Sequence, residues 1–398
     1  MILDKVRRIT RDGRWIPEID GLRFIAIISV VLFHLSGELG SRSGRLIPIE
    51  HRYYGLFYAI GNGDRGVRLF FVISGMILAM PFARYALAQG NKVSLQKYYM
   101  RRVTRLEPPY ILSVLLFTAL IAVYFRGVPL QGYGWHALAS LFYLHNVTYG
   151  ELSPVNPVTW SLEVEIQFYL LAPLIMQIFW IRGRSLRRTV MAAAILALGL
   201  AQAHWRTNPR FTLSILFYLQ YFLAGLLVAD VFVLDLVEMR STWLWDLAGL
   251  AGLALMYGLG HDQYAAHVLL PFALAILCLA AMKSLLLRRF VANPWIAVIG
   301  GACYSIYLLH FALMAAVFKV TRRLIVARFD FLENFIIQCI VTGLPILLLS
   351  LVFYRLVERP CMDPDWAPKL WRRVPGWRGR EVDFFDPESM SDDTGSIG

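Results

Sequence analysis

The chain is dominated by long apolar segments that lack the helical or alternating spacing of a soluble domain. Of its 398 residues 58% are apolar and 17% are charged, against about 25% charged residues in an average soluble domain. Ten segments lie close to the ~20 residues that a helix needs to cross ~30 Å of hydrocarbon. We therefore predict an all-α, polytopic transmembrane helix bundle and exclude a soluble enzyme. The ten predicted spans are 17–38, 67–88, 109–126, 161–181, 188–204, 211–233, 243–260, 265–284, 296–319 and 333–357.

The distribution of Lys and Arg predicts the orientation of these spans. With both termini placed in the cytoplasm, 26 of the 39 basic residues fall in inner segments and 12 in outer loops, as the positive-inside rule requires. The stretch 135–146 could be a re-entrant or interfacial helix rather than a loop. We predict a multi-pass protein of the inner or plasma membrane, in contact with membrane lipids.

The same pattern divides the chain into three parts. We predict that residues 1–16 form a basic cytoplasmic N-terminus, 17–360 the membrane-embedded domain and 361–398 a polar, flexible cytoplasmic tail. The net charge of +12 is spread over short stretches between apolar segments, which is typical of membrane-facing loops and not of nucleic-acid binding. The histidines and cysteines show no metal-ligand spacing, so we expect no metal.

The first predicted span carries two polar residues that are costly in a membrane. Arg23 and His34 are eleven positions apart, which places them about 20° apart on one helix face and about 16 Å apart along it. Such residues usually face a cavity or a partner. A fixed cation and a titratable base on one line suit an anionic donor that enters from the cytoplasm. Alternatively, Arg23 extends to lipid phosphates and His34 only packs.

Three arginines precede the third predicted span. Arg101, Arg102 and Arg105 form a cluster whose guanidinium groups could hold phosphates in bidentate geometry. This pattern indicates a site for a nucleotide-like donor. The alternative is a positive-inside anchor that binds lipid head groups.

The start of the fourth predicted span carries two carboxylates on different helix faces. We expect Glu165 to face the bundle, where it could orient His34 or a substrate hydroxyl, and Glu163 to face water. Trp160 and Ser161 precede them. The alternative is a capping arrangement in which Ser161 is the N-cap and the early carboxylates interact with the helix dipole.

Further candidates lie later in the sequence. His310 is a second intramembrane histidine, preceded by Tyr307, and is either functional or a hydrogen-bonding group between helices. His145 and Asn146 form a weaker candidate in an outer segment. We consider Tyr307, His310, His145 and Asn146 as supporting or substrate-binding residues.

These residues fall in segments that together resemble the acyltransferase-3 family of integral membrane acyltransferases. The resemblance covers about residues 15–360 and includes Asp20, the acidic residue usual before Gly-Leu-Arg. The matching segments are IDGLRFIAIISVVLFHL, GVRLFFVISGMIL, RRVTRLEPPY, WSLEVEIQFYLLAPL, YSIYLLH and YRLVERP.

The resemblance implies transfer of an acyl group, commonly acetyl from cytoplasmic acetyl-CoA, to a carbohydrate or similar acceptor on the outer side. It implies that Arg23 and His34 are essential and that His34 is catalytic. The Arg-x-x-Arg motif falls on Arg102 and Arg105, and the motif glutamate on Glu165. Some members carry a C-terminal extracytoplasmic hydrolase-like domain, which we do not find here. We therefore expect direct acylation or a separate extracytoplasmic partner.

We accordingly expect acyl-CoA phosphates to bind Arg101, Arg102 and Arg105, and the thioester arm to pass Arg23 and reach His34. The acceptor could be exopolysaccharide, lipopolysaccharide, peptidoglycan or a lipid-linked oligosaccharide. The competing hypothesis is a transporter or flippase in which Arg23, His34 and His310 form an ion or proton relay.

Overall fold

The computed structural model describes residues 15–43, 49–124, 130–261, 263–326, 328–363 and 366. Within these ranges the chain is helical and contains no strand. The predicted basic N-terminus and polar tail fall almost wholly outside the described residues. The helices of the first half are α1 Pro17–Ser43, α2 Tyr54–Gly61, α3 Arg65–Leu87, α4 Leu95–Tyr124, α5 Leu130–Leu141, α6 His145–Tyr149, α7 Trp160–Ile175 and α8 Arg184–Trp205. Those of the second half are α9 Pro209–Thr212, α10 Ile215–Leu234, α11 Trp243–Gly258, α12 Tyr264–Lys283, α13 Leu286–Val291, α14 Pro294–Gly301, α15 Cys303–Thr321, α16 Phe331–Gln338, α17 Leu344–Phe353 and α18 Arg359–Cys361.

Nine helical segments of the described chain are long and apolar enough to cross a membrane, which confirms the predicted polytopic bundle. They coincide with nine of the ten predicted spans. The remaining span, 243–260, corresponds to α11, which has 16 residues. Buried Arg65 caps the C-terminal end of this helix, because its guanidinium donates to the carbonyls of Met256 and Leu259 at 2.7 Å each.

Three spans differ in detail from their predicted form. Helix α4 begins at Leu95 and continues through Pro108 and Pro109, because neighbouring groups in a bundle can satisfy the carbonyls that a proline leaves unpaired. The span predicted at 296–319 is broken between α14 and α15 at Ala302. The last span joins α16 to α17 through a π-helical turn, Cys339–Gly343.

Helix α5 overlaps the stretch 135–146, for which a helix was one of two predicted possibilities. It packs against α4, where the Tyr110 hydroxyl donates to the Ser140 carbonyl at 2.8 Å. Just beyond its end, the Tyr143 hydroxyl donates to Glu107 at 3.1 Å. The chain between α4 and α7 is thus held against the side of the bundle.

Helices α3 and α10 form the most extensive helix pair of the bundle. A Cβ atom at Gly75 would lie 2.3 Å from the Phe222 carbonyl oxygen, and one at Gly225 would lie 2.2 Å from the Val72 carbonyl oxygen. Small residues allow membrane helices to pack at such short range. The Phe222 ring stacks on Phe168 of α7 at 4.0 Å between centroids, so this pair fixes α7 as well.

The acidic C-terminal end of α10 pairs with the basic N-terminal end of α8. Fully buried Asp230 accepts from Arg187 at 2.5 Å and from Arg188 at 2.6 Å, and Asp235 pairs with Arg184 and Arg188. Two segments that sequence analysis assigned to the same side of the membrane therefore meet in one ion-pair network.

Candidate active site

A cavity of about 320 Å³ lies between α1, α3, α4, α7 and α15. We call it the arginine pocket, because Arg23, Arg101, Arg102 and Arg105 line it together with one acidic residue, Glu165. Cys361 and Met362, at the C-terminal end of the last span, also line it. The start of α1, the start of α4 and the end of the last span therefore lie at one end of the bundle. The predicted donor residues meet there although they are far apart in sequence.

Arg23 is held in the wall of the pocket by its own helix. Its Nη1 donates to Asp20 Oδ1 at 2.6 Å, and Asp20 also accepts from the Trp15 indole at 2.8 Å. A Cβ atom at Gly300 would lie 1.7 Å from the Asp20 carbonyl oxygen, so α14 packs directly against this turn of α1. Asp20 thus supports Arg23 from outside the pocket.

The other three arginines occupy adjacent turns of α4. Arg102 donates to the Tyr98 carbonyl at 3.0 Å, and its guanidinium lies 4.2 Å from the centroid of the Tyr98 ring. Arg105 Nε is buried and has no hydrogen-bond partner among the described residues, whereas Arg101 is exposed. The cluster therefore presents positive charge to the pocket without a matching set of carboxylates.

Glu165 lies in the pocket, as expected of an inward-facing carboxylate. It accepts hydrogen bonds from the Ser74 hydroxyl of α3 and from the Tyr169 hydroxyl, the latter at 2.6 Å. Glu165 was predicted to orient either His34 or a substrate hydroxyl. Among the described residues its hydrogen bonds go to Ser74 and Tyr169, and not to His34. The α-helix places Tyr169 one turn from Glu165 on the same face, so the carboxylate is bound locally.

Ser161 and Tyr307 form another part of the wall. Their hydroxyls are 2.7 Å apart, and the Tyr307 hydroxyl also donates to the Val158 carbonyl. Ser161 is not the N-cap of α7, because the helix begins at Trp160 and its cap residue is Thr159, without a side-chain cap. The serine links α7 to α15 instead.

His34 and His310 lie next to each other beyond Tyr307. The two imidazole centroids are 5.3 Å apart, and the His310 ring is 5.8 Å from the Tyr307 ring. His310 Nδ1 lies 2.8 Å from the Tyr307 carbonyl, and its buried Nε2 has no partner in the described chain. Neither histidine lines the arginine pocket. Phe311 contacts His34 edge to face at 5.1 Å.

His310 bonds the carbonyls of its own helix, so the alternative that it hydrogen-bonds between helices is not observed within the described residues. With Nδ1–H donating to a carbonyl, the neutral ring presents Nε2 as an acceptor. This nitrogen is therefore available to a group beside His34.

The remaining candidates form a separate cluster. Asn146 donates from its side chain to the Trp160 carbonyl and from its backbone to Glu163, both at 2.8 Å. The expectation that Glu163 faces water is wrong, because only 1% of this residue is exposed. His145 lies 2.8 Å from His136, ring nitrogen to ring nitrogen, and burial lowers the pKa of His145. Trp160 packs on Tyr218.

Sequence analysis assigned no role to several residues of the pocket. Ser74 and Tyr169 bind Glu165, while Cys303 and Tyr304 lie beside Tyr307. The hydroxyl of Tyr304 donates to the Leu106 carbonyl at 2.9 Å. Helical spacing alone placed Tyr169 on the same stripe as Glu165, one turn further along the helix. The others need the tertiary contacts between α3, α7 and α15.

Comparison with known proteins was decisive for the family. The model of the acyltransferase domain of the acyltransferase-3 family matches residues 16–355. The chain belongs to this family. The resemblance to the acyltransferase-3 family that sequence analysis identified is thereby confirmed.

Two relatives indicate which members of the family the chain resembles. It is 27% identical over 379 residues to the O-acetyltransferase OatA of Staphylococcus aureus, an alignment that covers 87% of this chain and 57% of the relative. It is 31% identical over 220 residues to the peptidoglycan O-acetyltransferase OatA of Listeria monocytogenes, covering 51% and 30%. The chain thus spans just over half of the length of the first relative and less than a third of the second. No solved structure matches it.

Proposed function

We propose that this protein is an O-acetyltransferase of the inner or plasma membrane that moves an acetyl group from acetyl-CoA to a hydroxyl of a cell-surface carbohydrate. The observation that carries the proposal is the arginine pocket, in which four guanidinium groups face a single carboxylate. Acetyl-CoA carries several phosphate charges on its nucleotide part, and arginine binds phosphates by charge-assisted, bidentate hydrogen bonds. Arg101, Arg102 and Arg105 bind those phosphates in this proposal.

The helix α1 connects this pocket to the reacting groups. Arg23 and His34 lie on nearly one line of α1, about 16 Å apart. The thioester arm passes Arg23 and then Tyr307, behind which His310 and His34 make contact. Tyr307 closes the pocket on that side, so its ring or a neighbouring side chain moves when the arm extends to His34.

His34 acts as the general base. It takes the proton of the acceptor hydroxyl while the oxygen attacks the thioester carbonyl, and the carbon–sulfur bond breaks. The CoA thiolate leaves and takes up a proton, so an ester and a free thiol are formed. His310 Nε2, fixed as an acceptor, supports the neighbouring imidazole. Glu165 holds Ser74 and Tyr169 in the pocket wall rather than acting on His34.

A carbohydrate acceptor is supported by the relatives, one of which is named a peptidoglycan O-acetyltransferase. Exopolysaccharide, lipopolysaccharide and lipid-linked oligosaccharide contain hydroxyls of the same chemistry. A separate extracytoplasmic protein that receives the acetyl group first is compatible with the same pocket.

The proposal is tested with purified protein in liposomes, radiolabelled acetyl-CoA and saccharides isolated from the cell envelope. We expect label on saccharide with the wild type and none with His34→Ala, because the base is lost. His204→Ala is the matched control, since His204 is exposed at the end of α8 and its loss should leave transfer unchanged. Acetyl transfer by His34→Ala at the wild-type rate, or uptake of solute without covalent transfer, would contradict the proposal.

A further inference from the structure

A second cavity, of about 380 Å³, opens on the side of the bundle between α1 and the last span. We call it the apolar groove. On α1 it runs from Phe24 to Leu35, which is about 16 Å of helix. On the opposite side it is lined by the π-helical turn and the start of α17, where Ile340 is 60% and Leu344 50% exposed.

The lining of this groove is hydrocarbon. Its side chains are aliphatic or aromatic apart from the thiol of Cys339, and Gly343 contributes no side chain. Because both walls belong to segments that are apolar enough to span a membrane, the groove faces lipid. A flexible hydrocarbon chain is the ligand that such a surface recognises, at about 0.8 kcal/mol for each buried methylene.

The groove and the arginine pocket share two helices. On α1, Arg23 faces the pocket and Phe24 the groove; on α15, Tyr307 faces the pocket and Ile306 the groove. The groove ends at Leu35, directly after His34. A hydrocarbon chain that lies in the groove therefore has one end close to His34, the proposed base.

Two exposed cations lie at the rim. The Thr321 and Thr342 hydroxyls are 2.8 Å apart, so the end of α15 lies against the π-helical turn that lines the groove. Arg322 and Arg323 follow Thr321, both are exposed, and neither forms an ion pair with another described residue. Unpaired arginines beside a lipid-facing groove complement the phosphate of an anionic lipid.

We propose that the apolar groove binds the hydrocarbon chain of a polyprenyl-phosphate-linked saccharide, which serves as the acyl acceptor. Arg322 and Arg323 bind its phosphate. His310, which contacts His34, precedes Arg322 by 12 residues, about 18 Å along α15, so the attached saccharide extends over this distance toward His34. The inference rests on the proposed function, since it names the acceptor class of that same site. Binding of the lipid can nevertheless be measured without acyl transfer.

Binding of the hydrocarbon chain in the apolar groove is tested with a polyprenyl phosphate that carries a photoactivatable diazirine, in liposomes containing the full-length protein. We expect it to label peptides of α1 and the segment 339–347. In Gly343→Phe the new side chain starts from a lining position of the groove where a Cβ meets nothing within 4 Å, so we expect its ring to occupy the groove. Loss of a few buried methylenes should reduce labelling at least about tenfold. Val352→Phe, on the opposite face of α17, is the matched control and should label like the wild type.

Binding of the lipid phosphate by Arg322 and Arg323 is tested separately with the double variant Arg322→Gln/Arg323→Gln. This variant should weaken competition by unlabelled polyprenyl phosphate and leave competition by the uncharged polyprenol unchanged. Arg328→Gln, an exposed arginine in the same connection, serves as the control. Equal loss for both competitors would contradict the assignment of the phosphate.

The competing occupant is bulk anionic phospholipid. If phosphatidylglycerol competes as well as polyprenyl phosphate, or if Gly343→Phe labels like the wild type, the groove is not an acceptor site. Acetyl transfer to water-soluble saccharide is measured on the same preparations. Wild-type transfer without specific lipid labelling overturns this inference alone. Lipid labelling without transfer to any saccharide contradicts the proposed function, and with it the acceptor role of the lipid, and leaves the groove only as a lipid-binding site.

Discussion

At the residue scale, the polar groups of the arginine pocket differ in how completely the protein itself satisfies them. Arg23 is paired with Asp20, and Glu165 with two hydroxyls, so both are fixed before any ligand arrives. Arg105 Nε is buried without a partner in the described chain. A buried donor without an acceptor costs about 1–3 kcal/mol, and an anionic ligand would remove that cost.

This difference leads to a prediction for Arg102→Ala/Arg105→Ala. Because hydrogen bonds to charged groups contribute about 1.5–3 kcal/mol each, the double variant should raise the KM for acetyl-CoA at least about tenfold, with a smaller change in kcat. Steady-state kinetics with the purified protein would measure both.

Arg240→Ala is the control, because Arg240 is exposed and lies outside the pocket. If the double variant had an unchanged KM, the arginines would be anchors for lipid head groups and not donor ligands.

Helical periodicity was sufficient to place Arg23 and His34 on one face of α1, since both lie on a single uninterrupted helix. It could not show that Tyr307 and His310 stand between the pocket and His34. That arrangement depends on how α15 packs against α1. The burial of Glu163 also depends on tertiary structure, because a backbone amide from another segment, at Asn146, binds its carboxylate.

At the scale of elements, close packing of α3 and α10 supports the pocket from behind. Ser74, which binds Glu165, precedes Gly75 at the contact with Phe222. Any separation of the two helices would therefore move a wall of the pocket.

We expect Gly225→Ala to destabilise the protein by about 1–3 kcal/mol, the usual cost of overpacking a close-packed contact. Its Cβ would lie 2.2 Å from the Val72 carbonyl oxygen and 2.5 Å from the Met76 nitrogen. Thermal unfolding in detergent can be monitored by the reaction of a thiol dye with Cys278, which is buried in the folded protein. We expect a lower Tm for the variant.

Gly37→Ala is the matched change in α1, where a Cβ meets nothing within 4 Å. It should leave Tm unchanged or raise it slightly, because alanine favours a helix over glycine. An equal fall in both variants would show that the short distance at Gly225 is not the cause.

The spans themselves were predictable because length and apolarity decide whether a helix can cross a bilayer. Their interruptions were not. The third span was predicted to begin at residue 109, yet α4 begins at Leu95 and continues through Pro108 and Pro109. Hydrophobic periodicity indicated neither the π-helical turn at Cys339–Gly343 nor the break at Ala302.

At the scale of the whole molecule, the arginine pocket and the cations beside the apolar groove belong to different ends of the bundle. The pocket gathers the start of α1, the start of α4 and the C-terminal end of the last span. Arg322 and Arg323 follow the other end of α15, whose first residue, Cys303, lines the pocket. Helix α15 has 19 residues and so separates the two by about 28 Å, which is close to the thickness of the hydrocarbon core.

This separation makes the predicted orientation testable. If both termini are cytoplasmic, a cysteine at position 101, beside the pocket, faces the cytoplasm, where acetyl-CoA is made, and one at position 323 faces the outside. In intact cells a membrane-impermeant maleimide should therefore label Arg323→Cys and spare Arg101→Cys, while permeabilised cells should label both. The wild type gives the background from its own thiols, of which Cys278 and Cys361 are buried. Labelling of Arg101→Cys in intact cells would place the pocket outside, away from the donor.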